Sequence, residues 1–270
     1  MFRFPRTGLI VALVVVVVAA ACSSSSSSTA KPKPSSTTGA APKVAGSVTV
    51  SAASSLTGAF TKIGADFHTA HPRATVTLNF GSSATLATQI QQGAPTDVFA
   101  SADQSNITVL TSAGLAAGAP TVFARNRLEI VTKPGNPKHV TTLADLAQVG
   151  TVSLCAETVP CGKYAAQALT TAGVTIPVGS ITRGQDAKAT LAAVAAGDAA
   201  AAIVYVTDAK SAAATVASVV IPDAQNVVAS YPIVVLKAAA GSAAARAFVA
   251  YVRSAAGQAT LRSFGFLPPA

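Results

Sequence analysis

The sequence has no tryptophan, one methionine and only 5% aromatic residues. That leaves little flat surface on which unpaired bases could stack, which argues against single-stranded nucleic acid as a ligand. Charge is scarce too: 11% of residues are Asp, Glu, Lys or Arg, while 50% are hydrophobic. Such a chain can bury a sizeable core and is not a solvated, disordered acidic or basic tail. The formal net charge of +9 is unevenly placed. Arg3, Arg6, Lys31, Lys33 and Lys43 all precede residue 44, and the other 14 basic residues face all ten acidic ones with no basic cluster. The high isoelectric point therefore carries no nucleic-acid footprint.

Catalytic and metal signatures are also missing. The three histidines, His68, His71 and His139, read as solvated residues at a helix end and in a turn-rich loop, without metal-ligand spacing. There is no Gly-x-Ser-x-Gly elbow, no Ser-x-x-Lys at the serine pairs and no Gly-Lys-Ser/Thr phosphate loop. The aspartates are dispersed and give no paired-carboxylate arrangement. The reading is a protein with no catalytic residue.

The N-terminus carries a targeting pattern. Arg3 and Arg6 precede an apolar run over 9–21. That run is too short for a bilayer span, which needs about 20 residues. It ends in Ala19-Ala20-Ala21-Cys22, which resembles a bacterial lipobox, with alanine where leucine is commoner. An ordinary secretory signal with an incidental cysteine is the competing reading. The residues after Cys22 favour the lipoprotein reading. Serines 23–28 lead into a Lys-, Pro-, Ser- and Thr-rich stretch that cannot form a core and suits a flexible tether. The expectation is a signal peptide over 1–21, a lipidated Cys22, a tether over 22–43, and a chain lipid-anchored on the extracytoplasmic face of the cell membrane. Export places Cys155 and Cys161 in an oxidising compartment, where a pair is normally a disulfide; two thiols alone make a poor zinc site.

From about residue 44, short β-branched runs alternate with alanine-rich helical periods. Strands are expected at 48–51, 75–80, 98–101, 128–131, 152–155, 201–204, 219–221 and 230–236. Helices are expected near 56–67 and at 84–92, 162–172, 186–196, 206–214, 243–254 and 257–263. The alternation argues an α/β fold with mostly parallel sheets. Its ligand edge gathers the C-terminal ends of strands and the N-termini of the following helices. Several of those junctions are small or hydroxyl-bearing: Ser51-Ala-Ala-Ser-Ser55, Gly81-Ser-Ser-Ala-Thr85 and Pro160-Cys-Gly162. Exposed N–H groups, serine hydroxyls and little bulk suit a small anion. Plain helix capping by serine explains any single junction equally well.

Three segments then carry a family resemblance: Ser51–Thr57, Phe80–Ala87 and Gln91–Asp103, in order and at compatible spacing. With Val159–Tyr164, Ala202–Asp208 and Phe264-Gly-Phe266, they resemble the molybdate-binding proteins of ABC importers over essentially all of 48–268. The resemblance implies a two-lobe periplasmic-binding-protein fold with crossed hinge strands. One lobe would hold 44–124 plus 227–270 and the other 125–226. It implies a monomer that hands molybdate, or tungstate, to an ABC permease, with molybdenum present only as the bound oxyanion. Ser55 and Ser83 would donate by hydroxyl and backbone N–H, Cys161 and Ala187 by backbone N–H, and Tyr205 by its phenol. Two positions depart from the family pattern: Ala84 lacks a frequent third hydroxyl, and Cys161 replaces a small residue. A receptor for sulfate or phosphate, or a secreted hydrolase using Ser55 or Ser83, is the alternative. Tyr205 as a core tyrosine and Asp97 as a structural turn residue are the plainer readings of those two side chains.

Overall fold

The computed structural model describes residues 44–269. The expected signal segment, Cys22 and the tether lie outside the described residues.

Strand β1 (Ala45–Ala53) is an inner strand of the first sheet. It runs through a 3-10 turn, Ser54–Leu56, into helix α1 (Thr57–Ala70), whose Phe60, Ile63 and Phe67 return to one face at helical spacing and are fully buried. Next come β2 (Arg73–Gly81), α2 (Ser83–Gln91), β3 (Val98–Ala100) and α3 (Gln104–Ser112). The chain then enters β4 (Thr121–Asn126), β5 (Leu128–Thr132) and β6 (Val152–Cys155). After these come α4 (Pro160–Thr171), β7 (Ile181–Gly184), α5 (Ala187–Ala195), β8 (Ala201–Tyr205) and α6 (Val206–Ser211). The last elements are β9 (Ala217–Val220), β10 (Ala229–Val235), α7 (Ala243–Arg253) and α8 (Ala255–Ser263).

Two five-stranded sheets result, ordered β2-β1-β3-β10-β4 and β7-β6-β8-β5-β9. Each is one layer of a two-lobe α/β fold. The strands joined by helical crossovers are parallel: β1 with β2 and β3, and β6 with β7 and β8. The remaining pairings, β10 with β3 and β4 and β5 with β8 and β9, are antiparallel. The difference has a topological cause: β4 and β9 run with the parallel strands of their sheets, whereas β5 and β10, the first strand after each passage between the sheets, run against them.

The two crossings are held together. The chain leaves the first sheet at Asn126 and enters the second at Leu128. Asn226, on the returning crossing, donates from Nδ2 to the Leu128 carbonyl at 2.8 Å and accepts the Leu128 N–H at 2.9 Å. Helix α7 then packs on β1, and its Phe248 meets Phe60 and Phe67 with ring centroids 6.0 and 5.5 Å apart. The few aromatic residues are thus concentrated where the first sheet needs bulk.

Helix α3, β4 and β7 are not among the elements expected from the sequence pattern. Helix α3 is rich in Ser, Thr and Asn, poor intrinsic helix formers. It forms because the Asp103 carboxylate caps it, accepting the Asn106 N–H at 3.0 Å, and because Ile107 and Leu110 are buried.

Candidate functional site

The loops at the C-terminal edge of the parallel strands enclose a small cavity. It is lined by Ala53, Ser54 and Ser55 after β1, Gly81, Ser82 and Ser83 after β2, and Ala102 after β3. From the second sheet come Val159, Pro160 and Cys161, Asp186 and Ala187, and Tyr205. All five residues expected to bind ligand, Ser55, Ser83, Cys161, Ala187 and Tyr205, therefore line one cavity.

Local sequence explains each placement. Ser82 is the N-cap of α2 and accepts the Thr85 N–H at 3.1 Å, while Ser83 opens the helix and accepts the Ala102 N–H at 2.9 Å. Capping and lining are thus divided between neighbouring serines. Because Ser83 Oγ accepts from a backbone N–H, its own proton is available to the cavity. Ser55 Oγ lies 2.9 Å from the hydroxyl of Tyr231. Cys161 and Ala187 sit in the first turns of α4 and α5, where backbone N–H groups have no intrahelical acceptor. Asp186 lines the cavity but acts as N-cap, accepting the Ala189 N–H at 2.9 Å. Gly162 follows Cys161 because a Cβ there would stand 1.9 Å from the Ala156 carbonyl oxygen. Glycine lets the start of α4 close onto that loop.

Cys155 and Cys161 form a disulfide, so the end of β6 is covalently tied to the first turn of α4. Asp97 is structural: it accepts the Thr49 N–H at 2.7 Å and fixes β1 rather than reaching the cavity.

Tyr205 is 1% exposed, and its hydroxyl has no hydrogen-bond partner among the described residues. A buried hydroxyl without a partner costs free energy, on the order of 1–3 kcal/mol, so its place in the cavity wall is informative. Burial also pushes the phenol's pKa well above the usual range, so it keeps its proton and remains a donor.

No lysine, arginine or histidine is among the described residues lining the cavity. Lys163, two residues past Cys161, is instead turned to Asp103 (3.5 Å) and donates to Ser105 at 3.0 Å, linking α4 to the start of α3. Apart from the Asp186 carboxylate, the described lining is uncharged, the arrangement that stabilises an anion with preorganised dipoles rather than with a counter-charge. Asp186, the one carboxylate among the described lining residues, is engaged as the N-cap of α5.

Sequence reasoning missed Tyr231 and Asn126. Tyr231 is 176 residues from Ser55 along the chain, and no local motif marks it. Asp208 accepts the Tyr205 N–H at 3.3 Å from the first turn of α6, and burial raises its pKa to about 7.

The chain matches the family of bacterial extracellular solute-binding proteins over residues 48–267. It is 43% identical to the molybdate-binding protein ModA of Mycobacterium tuberculosis over 225 residues, covering 83% of this chain and 85% of the relative. It is 30% identical to the molybdate-binding protein ModA of Haemophilus influenzae, covering 81% of this chain and 89% of that one. The periplasmic molybdate-binding protein of Azotobacter vinelandii shares the fold, with a TM-score of 0.74 over 83% of this chain and all of that one at 21% identity. Among the described residues, no helix is long and apolar enough to cross a membrane. Family, fold and cavity agree: the chain belongs to the bacterial extracellular solute-binding proteins.

Proposed function

We propose that this protein is a receptor, not an enzyme, that captures molybdate outside the cytoplasm and delivers it to the permease of an ABC importer. The observation that carries the reading is the buried, unpartnered hydroxyl of Tyr205 in a cavity of neutral donors. A tetrahedral dianion offers that hydroxyl an acceptor and offers others to Ser55, Ser83 and the N–H groups of Cys161 and Ala187. Charge-assisted hydrogen bonds of this kind are stronger than neutral ones. The two relatives named for molybdate binding, at 43% and 30% identity, support that oxyanion over sulfate or phosphate. Tungstate, of the same charge and shape, fits the same donors.

In this reading, residues 44–124 with 227–270 form one lobe and residues 125–226 the other. The lobes meet around the ligand, each supplying part of the donor set. Cys22 carries a lipid that holds the receptor near its permease, and residues 22–43 supply the reach. The Cys22→Ala variant would then leave the membrane fraction while binding ligand as before.

Thermal unfolding with added oxyanion tests the proposal. A ligand that binds only the folded state at a hundredfold excess over Kd stabilises it by about 2.7 kcal/mol. For a domain of this size that is a rise of about 5–10 °C in Tm. Molybdate and tungstate should produce it, and equal concentrations of chloride, sulfate or phosphate should not. A rise with sulfate or phosphate alone would assign the cavity to that anion instead.

A further inference from the structure

We propose that Tyr231 and Asn126 are positioning residues that fix the direction of the Ser55 hydroxyl and root the ligand site in the crossing between the two sheets. The inference rests on the oxyanion reading of the cavity and adds residues to it.

Donors and acceptors along this chain of side chains match in one direction only. Asn126 is the last residue of β4, fully buried where the chain passes to the second sheet. Its Oδ1 accepts the Arg127 N–H at 2.9 Å, which fixes the amide's orientation, since only the oxygen can accept. Nδ2 then has two hydrogens and two acceptors: Thr207 Oγ1 at 2.9 Å and the Tyr231 hydroxyl at 3.4 Å. An amide nitrogen accepts nothing, so the Tyr231 proton cannot return to Asn126. Its other partner is Ser55 Oγ at 2.9 Å. The polarity is therefore Asn126 to Tyr231 to Ser55. The reverse direction would leave the Tyr231 proton without an acceptor among the described residues. Ser55, accepting a hydrogen bond from behind, presents its own proton to the cavity.

The surroundings hold this chain rigidly. The Tyr231 ring is fully buried and meets Phe123, Tyr205 and Phe266 at centroid distances of 6.5, 5.8 and 5.3 Å. Burial keeps its phenol protonated, as a relay that must donate requires. The other Asn126 hydrogen goes to Thr207, in the first turn of the helix capped by Tyr205. A single amide at the crossing thus supports Ser55 from the first sheet and the Tyr205 segment from the second. A donor held in the orientation the ligand needs loses less freedom on binding.

A double-mutant cycle on molybdate affinity is the test, with Tyr231→Phe placed in the wild-type and Ser55→Ala backgrounds. Tyr231→Phe keeps the ring and removes only the relay hydroxyl. It should raise Kd about tenfold in the wild type and less than about twofold when Ser55 is already alanine, because the two residues act as one unit. A role in packing alone would move both backgrounds by the same factor, and that outcome overturns the relay. So would an unchanged Kd in the wild-type background. Should Tyr231→Phe fail to fold, Asn126→Ala in the same backgrounds gives a second cycle: a clearly smaller fold-change in Kd with Ser55→Ala than in the wild type supports the relay, the remainder being the loss of the Thr207 contact, and an equal fold-change overturns it. A wild-type protein that binds neither molybdate nor any other oxyanion overturns the relay together with the oxyanion reading. Additivity in a protein that does bind overturns the relay alone.

Discussion

Cys155 and Cys161 are bonded across a sequence separation of 6, with Cα atoms 5.7 Å apart, and the second of them is a residue of the cavity wall. The bridge therefore does two things: it restricts the unfolded chain, and it fixes the turn that presents the Cys161 N–H. For so short a ring the entropic effect is about 2 kcal/mol. Reduction, or replacement of both cysteines by alanine, should lower Tm by about 4–8 °C in thermal unfolding. It should also weaken molybdate binding. Unreduced protein, denatured and alkylated, should show neither Cys155 nor Cys161 as a free thiol.

Tyr205→Phe should act with opposite signs on folding and on binding. The hydroxyl has no partner without ligand, so its removal should leave the ligand-free Tm unchanged or raise it. Loss of a donor to a charged acceptor, about 1.5–3 kcal/mol, should raise the molybdate Kd roughly ten- to a hundredfold. Denaturant melts and calorimetric titration of the same variant separate the two. A destabilised variant with normal affinity would return Tyr205 to the role of core residue.

Ser83→Ala behaves differently, because Ser83 Oγ also accepts the Ala102 N–H. Its removal leaves that buried N–H without its acceptor. Equilibrium unfolding of the ligand-free variant should therefore show a loss of about 1–3 kcal/mol. The loss of affinity should come in addition, unlike that of Tyr205→Phe.

Asp208 predicts a pH dependence. Burial lifts its carboxyl to about 7 from the usual 3.8, against the opposing pull of the Tyr205 N–H and of Lys188. Between those values the folded protein holds a proton that the unfolded chain has released. Its contribution to stability is therefore complete below about pH 4 and is lost as the pH rises through 7. Asp208→Asn should flatten the fall in stability between pH 5 and pH 8. Superimposable pH profiles for variant and wild type would show that burial does not act on this carboxyl as described.

How much of the fold and site is legible in the sequence depends on how local each signal is. Helices α1 and α7 announce themselves through Phe60, Ile63, Phe67 and Phe248, whose spacing reflects a single buried face. The serine pairs mark the right junctions, yet a one-dimensional pattern cannot say that Ser82 caps while Ser83 lines. That distinction lies in the backbone direction at the end of β2. Helix α3 is invisible because its capping by Asp103 outweighs a composition that disfavours helix. The antiparallel strands β4 and β10 are unreadable as a pair because their register, Asn126 opposite Ala229, is made across a hundred residues of intervening lobe. Tyr231 escapes for the same reason: its tie to the cavity is a hydrogen bond to Ser55, not a neighbour in sequence.

In the proposed site, uncharged donors and not a cationic side chain hold the oxyanion. Calorimetric titration of molybdate into the purified protein, repeated from low to high sodium chloride, tests it most directly. One site per chain is expected, with an affinity that changes by no more than about threefold across that range, since screening acts on exposed charge pairs and none is among the described residues lining the cavity. No saturable binding, or an affinity that collapses with salt and is abolished by Lys163→Ala, would contradict it.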